Sequence, residues 1–198
     1  MFRIPTFTVV SVAGMVVNFA YFGLIFVFSL FFQIQQHLSP QLAGLAFLPM
    51  TVVLMTVNVL AGRLITRMGA RLLMILGLML AAVGYLLLMS VSIDGAYWLQ
   101  VVPMLLAASG TALIVPTTAN ATLSSVDASR AGITSGVLNS ARQVGGMLGA
   151  AIFGHLIQDT ALDAFTHGMH VSIGISVALL LLGSGLCWVG IRPDRNTA

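Results

Sequence analysis

Long apolar runs separated by short polar turns dominate this chain. Six of them occur, over about residues 7–33, 42–60, 72–91, 97–123, 133–157 and 171–191. A helical crossing of the hydrocarbon layer takes about 20 mostly apolar residues. Runs of this length without period-two alternation form helices, because each helix satisfies its own backbone hydrogen bonds where no water is available. The turn Gln35-Gln36-His37-Leu38-Ser39-Pro40 closes the first run, and Ser92-Ile93-Asp94-Gly95 closes the third. Such short connections make consecutive helices antiparallel neighbours. The pattern predicts an all-α membrane protein, a six-transmembrane-helix bundle forming a single domain over residues 1–198. There is no soluble domain, linker or low-complexity tract.

Charge changes this picture by giving it a direction. The chain has eight arginines and no lysine. Arg3, Arg63, Arg67, Arg71, Arg130, Arg192 and Arg195 fall before the first run, in alternate turns and after the last run. The other turns carry Asp94, Asp159 and Asp163 and no base. Cytoplasmic loops hold the excess of Lys and Arg. Six crossings of a plasma (inner) membrane with both termini in the cytosol account for every loop charge.

Composition then excludes several classes. Charged residues are 7% of the chain and hydrophobic ones 59%, whereas a soluble domain carries roughly a quarter charged residues. The solvent for most of this surface is a lipid bilayer. The net charge of +3 does not mark a nucleic-acid binder, because no basic patch with interleaved aromatics exists. Cys187 is the only cysteine, which rules out an internal disulfide. His37, His155, His167 and His170 gather near the outer side, but their spacing fits no metal-ligand motif. No nucleotide-binding loop, Ser-His-Asp set or metalloprotease motif is present, so neither a metal, a cofactor nor an enzyme activity is expected.

Two segments carry candidate mechanism. Between the second and third runs lies Gly62-Arg63-Leu64-Ile65-Thr66-Arg67-Met68-Gly69-Ala70-Arg71. Gly62 lets a helix end approach its neighbour, and Gly69 permits a left-handed turn. Arg63 and Arg67 are one helical turn apart, and Arg71 can reach lipid phosphates or the carbonyls of a facing helix. The plain alternative is a positive-inside anchor. The fifth run places Ser135, Asn139, Arg142 and Gly146 on one helical face, with Gln143 beside them. Gly132 with Gly136, and Gly145 with Gly149, form small-residue pairs of the kind that let helix backbones approach in lipid. Arg142 is the one arginine inside a run, and a mid-bilayer charge costs at least ~2.5 kcal/mol. It is either a snorkelling structural arginine or a group lining a transport or gating path.

Smaller signals follow. Pro116, in Pro116-Thr117-Thr118-Ala119-Asn120, can act as a hinge or as a static bend. Asn18, Asn58 and Gln100 are single polar residues in apolar runs, each a cavity candidate or an interhelical hydrogen bond worth under ~1 kcal/mol. The chain has no Glu, and no Asp lies within a run. A titrating carboxylate of the kind that couples protons to transport is therefore missing from its spans.

The residues Gly62 to Arg71 resemble the signature loop of the major facilitator superfamily, in the version found in its C-terminal half. The stretch from Pro116 to Gly154 resembles the EmrB/QacA drug:proton antiporter family. That family's Ser-Gly-x-x-Asn-x-x-Arg-Gln-x-Gly-Gly-x-x-Gly pattern is matched by Ser135, Gly136, Asn139, Arg142, Gln143, Gly145, Gly146 and Gly149. Thr66 is a departure, since the loop often has an acidic residue there. The resemblance implies the C-terminal half of a secondary active transporter, with an N-terminal six-helix (or longer) half as partner. It further implies export of small amphipathic molecules in exchange for protons, whose carboxylates lie in the other half. The competing reading is a non-transporting membrane assembly or sensor protein on the same bundle.

Overall fold

The computed structural model describes residues 5–90, 97–124, 131–159 and 161–191. Their secondary structure is helical: α1 (Pro5–Leu30), a π-helical turn (Phe31–Gln35), α2 (Pro40–Ala46), α3 (Leu48–Leu88), α4 (Tyr97–Ser124), α5 (Ala131–Leu156) and α6 (Leu162–Gly190). Four segments are long and apolar enough to cross a membrane: Thr6–Gln35, Pro40–Leu88, Tyr97–Leu123 and Leu162–Gly190.

That count departs from six separate runs at two places, each for a physical reason. The second and third runs join into α3, because the helix continues through Arg63 and Arg67 where a polar turn was expected. Its helical geometry fails only at Gly69, with φ 74° and ψ 159°. That backbone region is essentially reserved for glycine, and it divides α3 into two arms of about 20 residues, each near the thickness of a bilayer. The fifth run forms α5 as expected, but Ser135, Asn139, Ser140, Arg142 and Gln143 dilute its hydropathy, so it is absent from the four apolar segments. The last run starts earlier than expected, at Leu162.

The second arm of α3 packs antiparallel on α4, and glycine makes this possible. A Cβ at Gly77 would lie 2.7 Å from Ile114 Cγ1 and 2.9 Å from the Gly110 carbonyl oxygen. A Cβ at Gly84 would strike the Ala107 backbone, and one at Gly110 the Ala81 backbone. α4 runs unbroken through Pro103 and Pro116. Beside Pro116, the Thr117 hydroxyl donates to the Leu113 carbonyl (2.6 Å) and Thr118 to that of Val115 (2.8 Å). Threonine hydroxyls thus engage carbonyls where proline interrupts the ladder. Between these helices, α1 and α6 close a core that includes Phe28, Phe31, Phe32, Tyr85, Phe153 and Phe165.

The ends of the bundle differ in charge. Near one end Arg71 donates to the Trp188 carbonyl of α6 (2.5 Å), with its guanidinium 4.8 Å from the centre of that indole ring. Gly190 packs on Val9 at the same end. At the opposite end Tyr97 donates to the Ala46 carbonyl (2.8 Å), and Asp159 caps the turn into α6 by accepting from the Ala161 N–H (2.9 Å). The described arginines of the Gly62–Arg71 segment therefore sit away from Asp159 and Asp163. Arg3, Arg130, Arg192, Arg195 and Asp94 lie outside the described residues.

Two neighbouring glycines separate conformational from packing demands. Gly69→Ala should destabilise the purified chain by about 1–3 kcal/mol, the cost of holding a residue with a side chain in that region. Gly62 is helical and a Cβ there would meet nothing within 4 Å, so Gly62→Ala should be neutral or stabilising by up to ~1 kcal/mol. Equilibrium unfolding in detergent micelles reads both; equal losses would contradict the assignment.

Candidate functional site

One face of α1 and one face of α5 form the walls of an open groove. The two helices run parallel: Gly14 faces Arg142, Met15 faces Gly145, Phe19 faces Gly149, and Gly23 faces Phe153. A Cβ at Gly145 would overlap the Met15 carbonyl oxygen, and one at Gly149 the Phe19 carbonyl oxygen. The pair of glycines thus brings the two backbones together. Phe19 and Phe153 lock the contact edge to face, with ring centres 5.2 Å apart.

Beside this seam lies a cavity of about 620 Å³, within the range of small-molecule sites. α1 contributes Asn18, Phe22, Ile25, Phe26 and Ser29, a stripe set by the helical repeat. α5 contributes Asn139, Arg142, Gln143, Gly146, Met147 and Ala150. Phe22 and Phe26 are 46% and 38% exposed, so they present ring surface to the groove instead of filling the core. The Asn18 amide is tied to the Gly14 carbonyl (2.9 Å). Ser29 accepts from the Gln33 amide through both its carbonyl (3.0 Å) and its hydroxyl (3.1 Å).

Arg142 supplies the electrostatics of the groove. It stands roughly 17 Å along the helix axis from the first residue of α5. A Cβ at Gly14 would lie 3.2 Å from its Cγ, so the side-chain stem lies across the bare backbone of α1. The Arg142 Nε–H is buried and has no hydrogen-bond partner. Among the described residues, no carboxylate pairs with it.

The structure therefore brings together Asn18, Asn139, Arg142, Gln143 and Gly146. It places the other sequence candidates elsewhere. Ser135 is exposed nearer the start of α5, outside the groove. Asn58 lies on the first arm of α3, its amide bonded to the Leu54 carbonyl (2.9 Å). Gln100 is fully buried in α4 with neither end of its amide partnered. Pro116 lies within α4, away from the groove lining. Gly132 and Gly136, expected to pack against a helix, face open space, as does Gly62; within this chain nothing approaches them. Arg63 and Arg67 are exposed, while Arg71 is anchored on α6. His37, His155, His167 and His170 form no metal cluster, and no group of three His, Cys, Asp or Glu does so among the described residues. The aromatic wall of Phe22 and Phe26 was missed in the sequence; the spacing Asn18, Phe22, Phe26, Ser29 is its signal.

The seam and the open glycines should respond differently to bulk. Gly149→Leu must push α1 away from α5 and should cost about 1–3 kcal/mol or more, as overpacking does. Gly136→Ala should leave the isolated chain unchanged. Thermal unfolding of the two purified variants distinguishes them, and a neutral Gly149→Leu would contradict the described seam.

Comparison with known proteins gives a consistent family. The model of the Major Facilitator Superfamily matches residues 1–150. The methylenomycin A resistance protein of Streptomyces coelicolor is 31% identical over 199 residues, covering 100% of this chain and 42% of that protein. The multidrug resistance protein Stp of Mycobacterium tuberculosis is 29% identical over 157 residues, covering 79% of this chain and 29% of that protein. The chain thus spans well under half the length of these relatives. A crystal structure of the peptide transporter POT in complex with sulfate superposes with a TM-score of 0.74 at 18% identity, over 92% of this chain and 37% of that one.

Proposed function

Because the chain belongs to the major facilitator superfamily, and is thus a multi-pass membrane protein of a transporter family and not an enzyme, we propose that it is the C-terminal half of a drug exporter. In this reading the chain crosses the membrane six times: α1, the two arms of α3, α4, α5 and α6. A second, N-terminal bundle faces the α1–α5 groove, and rocking of one bundle against the other opens the site to each side in turn. The arginine-bearing end faces the cytosol, which puts both termini there.

The observation that carries the proposal is the open groove itself. A structural bundle in lipid would gain nothing from turning Asn139, Gln143 and Arg142 toward unfilled space, since each polar group is costly without a partner. A half-site awaiting an opposing wall requires that arrangement. Gly132, Gly136 and the exposed first arm of α3 supply the surface on which the other bundle docks. The named relatives confer resistance or multidrug resistance, and the groove's apolar walls with a few amides suit small amphipathic molecules. Proton exchange, if it drives the cycle, uses carboxylates of the other half, because the one acid in the described spans, Asp163, lies in the first turn of α6 and outside the groove.

Co-expression tests the half-transporter directly. Cells producing this chain with an N-terminal six-helix bundle of a related exporter should extrude an amphipathic dye, and cells producing either piece alone should not. Efflux by the purified, reconstituted 198-residue chain as a monomer would overturn the proposal. A pair that assembles in the membrane yet moves no dye from either side would favour the assembly or sensor role.

A further inference from the structure

We propose that the α1–α5 groove selects amphipathic molecules bearing a carboxylate, and that Arg142 is the group that holds the anion. The inference rests on reading the groove as a transport site and adds its charge preference.

Three observations converge. The first is an unanswered cation. Arg142 lines the groove, its buried Nε–H has no acceptor, and no carboxylate among the described residues pairs with it. The chain has no Glu, and the one acid in its described helices, Asp163, sits in the first turn of α6 at the end of the bundle opposite Arg71. A guanidinium in a low-dielectric wall is stabilised chiefly by an anion that accepts from its fork of donors. The second is fixed geometry. The stem lies against Gly14, where a Cβ would approach Cγ to 3.2 Å, so the glycine makes room for it and limits its freedom. Asn139 and Gln143, flanking it on α5, offer amide donors to the same anion. The Asn18 amide is already committed to Gly14, leaving the cation as the main polar attraction.

The third is division of the groove along its length. Arg142 and Asn18 mark one end. Phe22 (packed on Gly146), Met147 and Ala150 follow, and Phe26 (packed on Gly154) and Ser29 lie furthest from the guanidinium. A cavity of about 620 Å³ with an ionic head region and an aromatic body matches a small organic acid. A carboxylate from the opposing bundle would present the same chemistry to Arg142, but it would need only a narrow slot beside the guanidinium. The aromatic length of the groove would then have no occupant.

Pyrenebutyrate and its neutral methyl ester serve as the probe pair, titrated by fluorescence into nanodiscs of uncharged lipid holding the chain. The wild-type chain should bind the acid at least ~10-fold more tightly than the ester. Arg142→Gln should abolish that difference, and Arg142→Lys should keep part of it, because lysine retains charge without the planar fork. Arg67→Gln, an exposed site outside the groove, should leave the preference intact and controls for bulk charge. Equal binding of acid and ester by the wild type, or a preference that survives Arg142→Gln, overturns the proposal. Assembly with an N-terminal bundle separates the two sources of the anion. If a partner carboxylate claims Arg142, assembly erases the acid preference, and this too overturns the proposal. Failure of the assembled pair to transport, with the acid preference preserved, would sink the transporter reading alone.

Discussion

Helices in lipid gain little from burying apolar surface against one another, because acyl chains are as apolar as leucine. Their association depends on close van der Waals contact, and in this chain glycine provides it. Gly145 and Gly149 bring α5 onto the carbonyls of Met15 and Phe19 in α1, while Gly77, Gly84 and Gly110 do the same for α3 and α4. At this separation Cα–H groups can face carbonyl oxygens, a contact that recurs between closely packed helices. The rest of the bundle is arranged around these two seams.

The seam between α1 and α5 also builds the site. Once Gly149 and Gly145 fix the helices in parallel register, Asn18 and Phe22 on one must stand beside Arg142 and Gly146 on the other. The groove is therefore a consequence of packing, with little dependence on loops. Its polar content also explains why α5 is the least lipid-like long helix of the bundle. Three of the residues that lower its hydropathy, Asn139, Arg142 and Gln143, face the cavity.

Arginine serves two different ends in this architecture. Arg71 donates from one terminal nitrogen to a carbonyl and lies over an indole face on α6, although its buried Nε–H has no acceptor, and it ties the turn at Gly69 to the end of the last helix. Arg142 is left without an acceptor, in the groove. The contrast is one of degree, since both buried Nε–H groups lack an acceptor but only Arg71 has a carbonyl and an indole to hold it.

The sequence by itself determined the solvent, the helical class and most helix positions. These depend on local composition and run length, and a run such as 97–123 reads the same in isolation as in the bundle, where α4 spans Tyr97–Ser124. It also pointed to Asn139, Arg142 and Gln143 as neighbours, because one helical repeat places them there, and to Gly69 as a turn, because few residues tolerate positive φ. Tertiary structure decided what periodicity cannot carry. Gly145 and Gly149 pack while Gly132 and Gly136 do not, although both pairs share one spacing. Asn18 lines the groove while Asn58 and Gln100 do not, although all three are lone polar residues in apolar runs. The aromatic wall of Phe22 and Phe26 was hidden among many phenylalanines of α1. Each of these distinctions depends on which helix lies opposite, and that choice is made by contacts between residues more than a hundred positions apart.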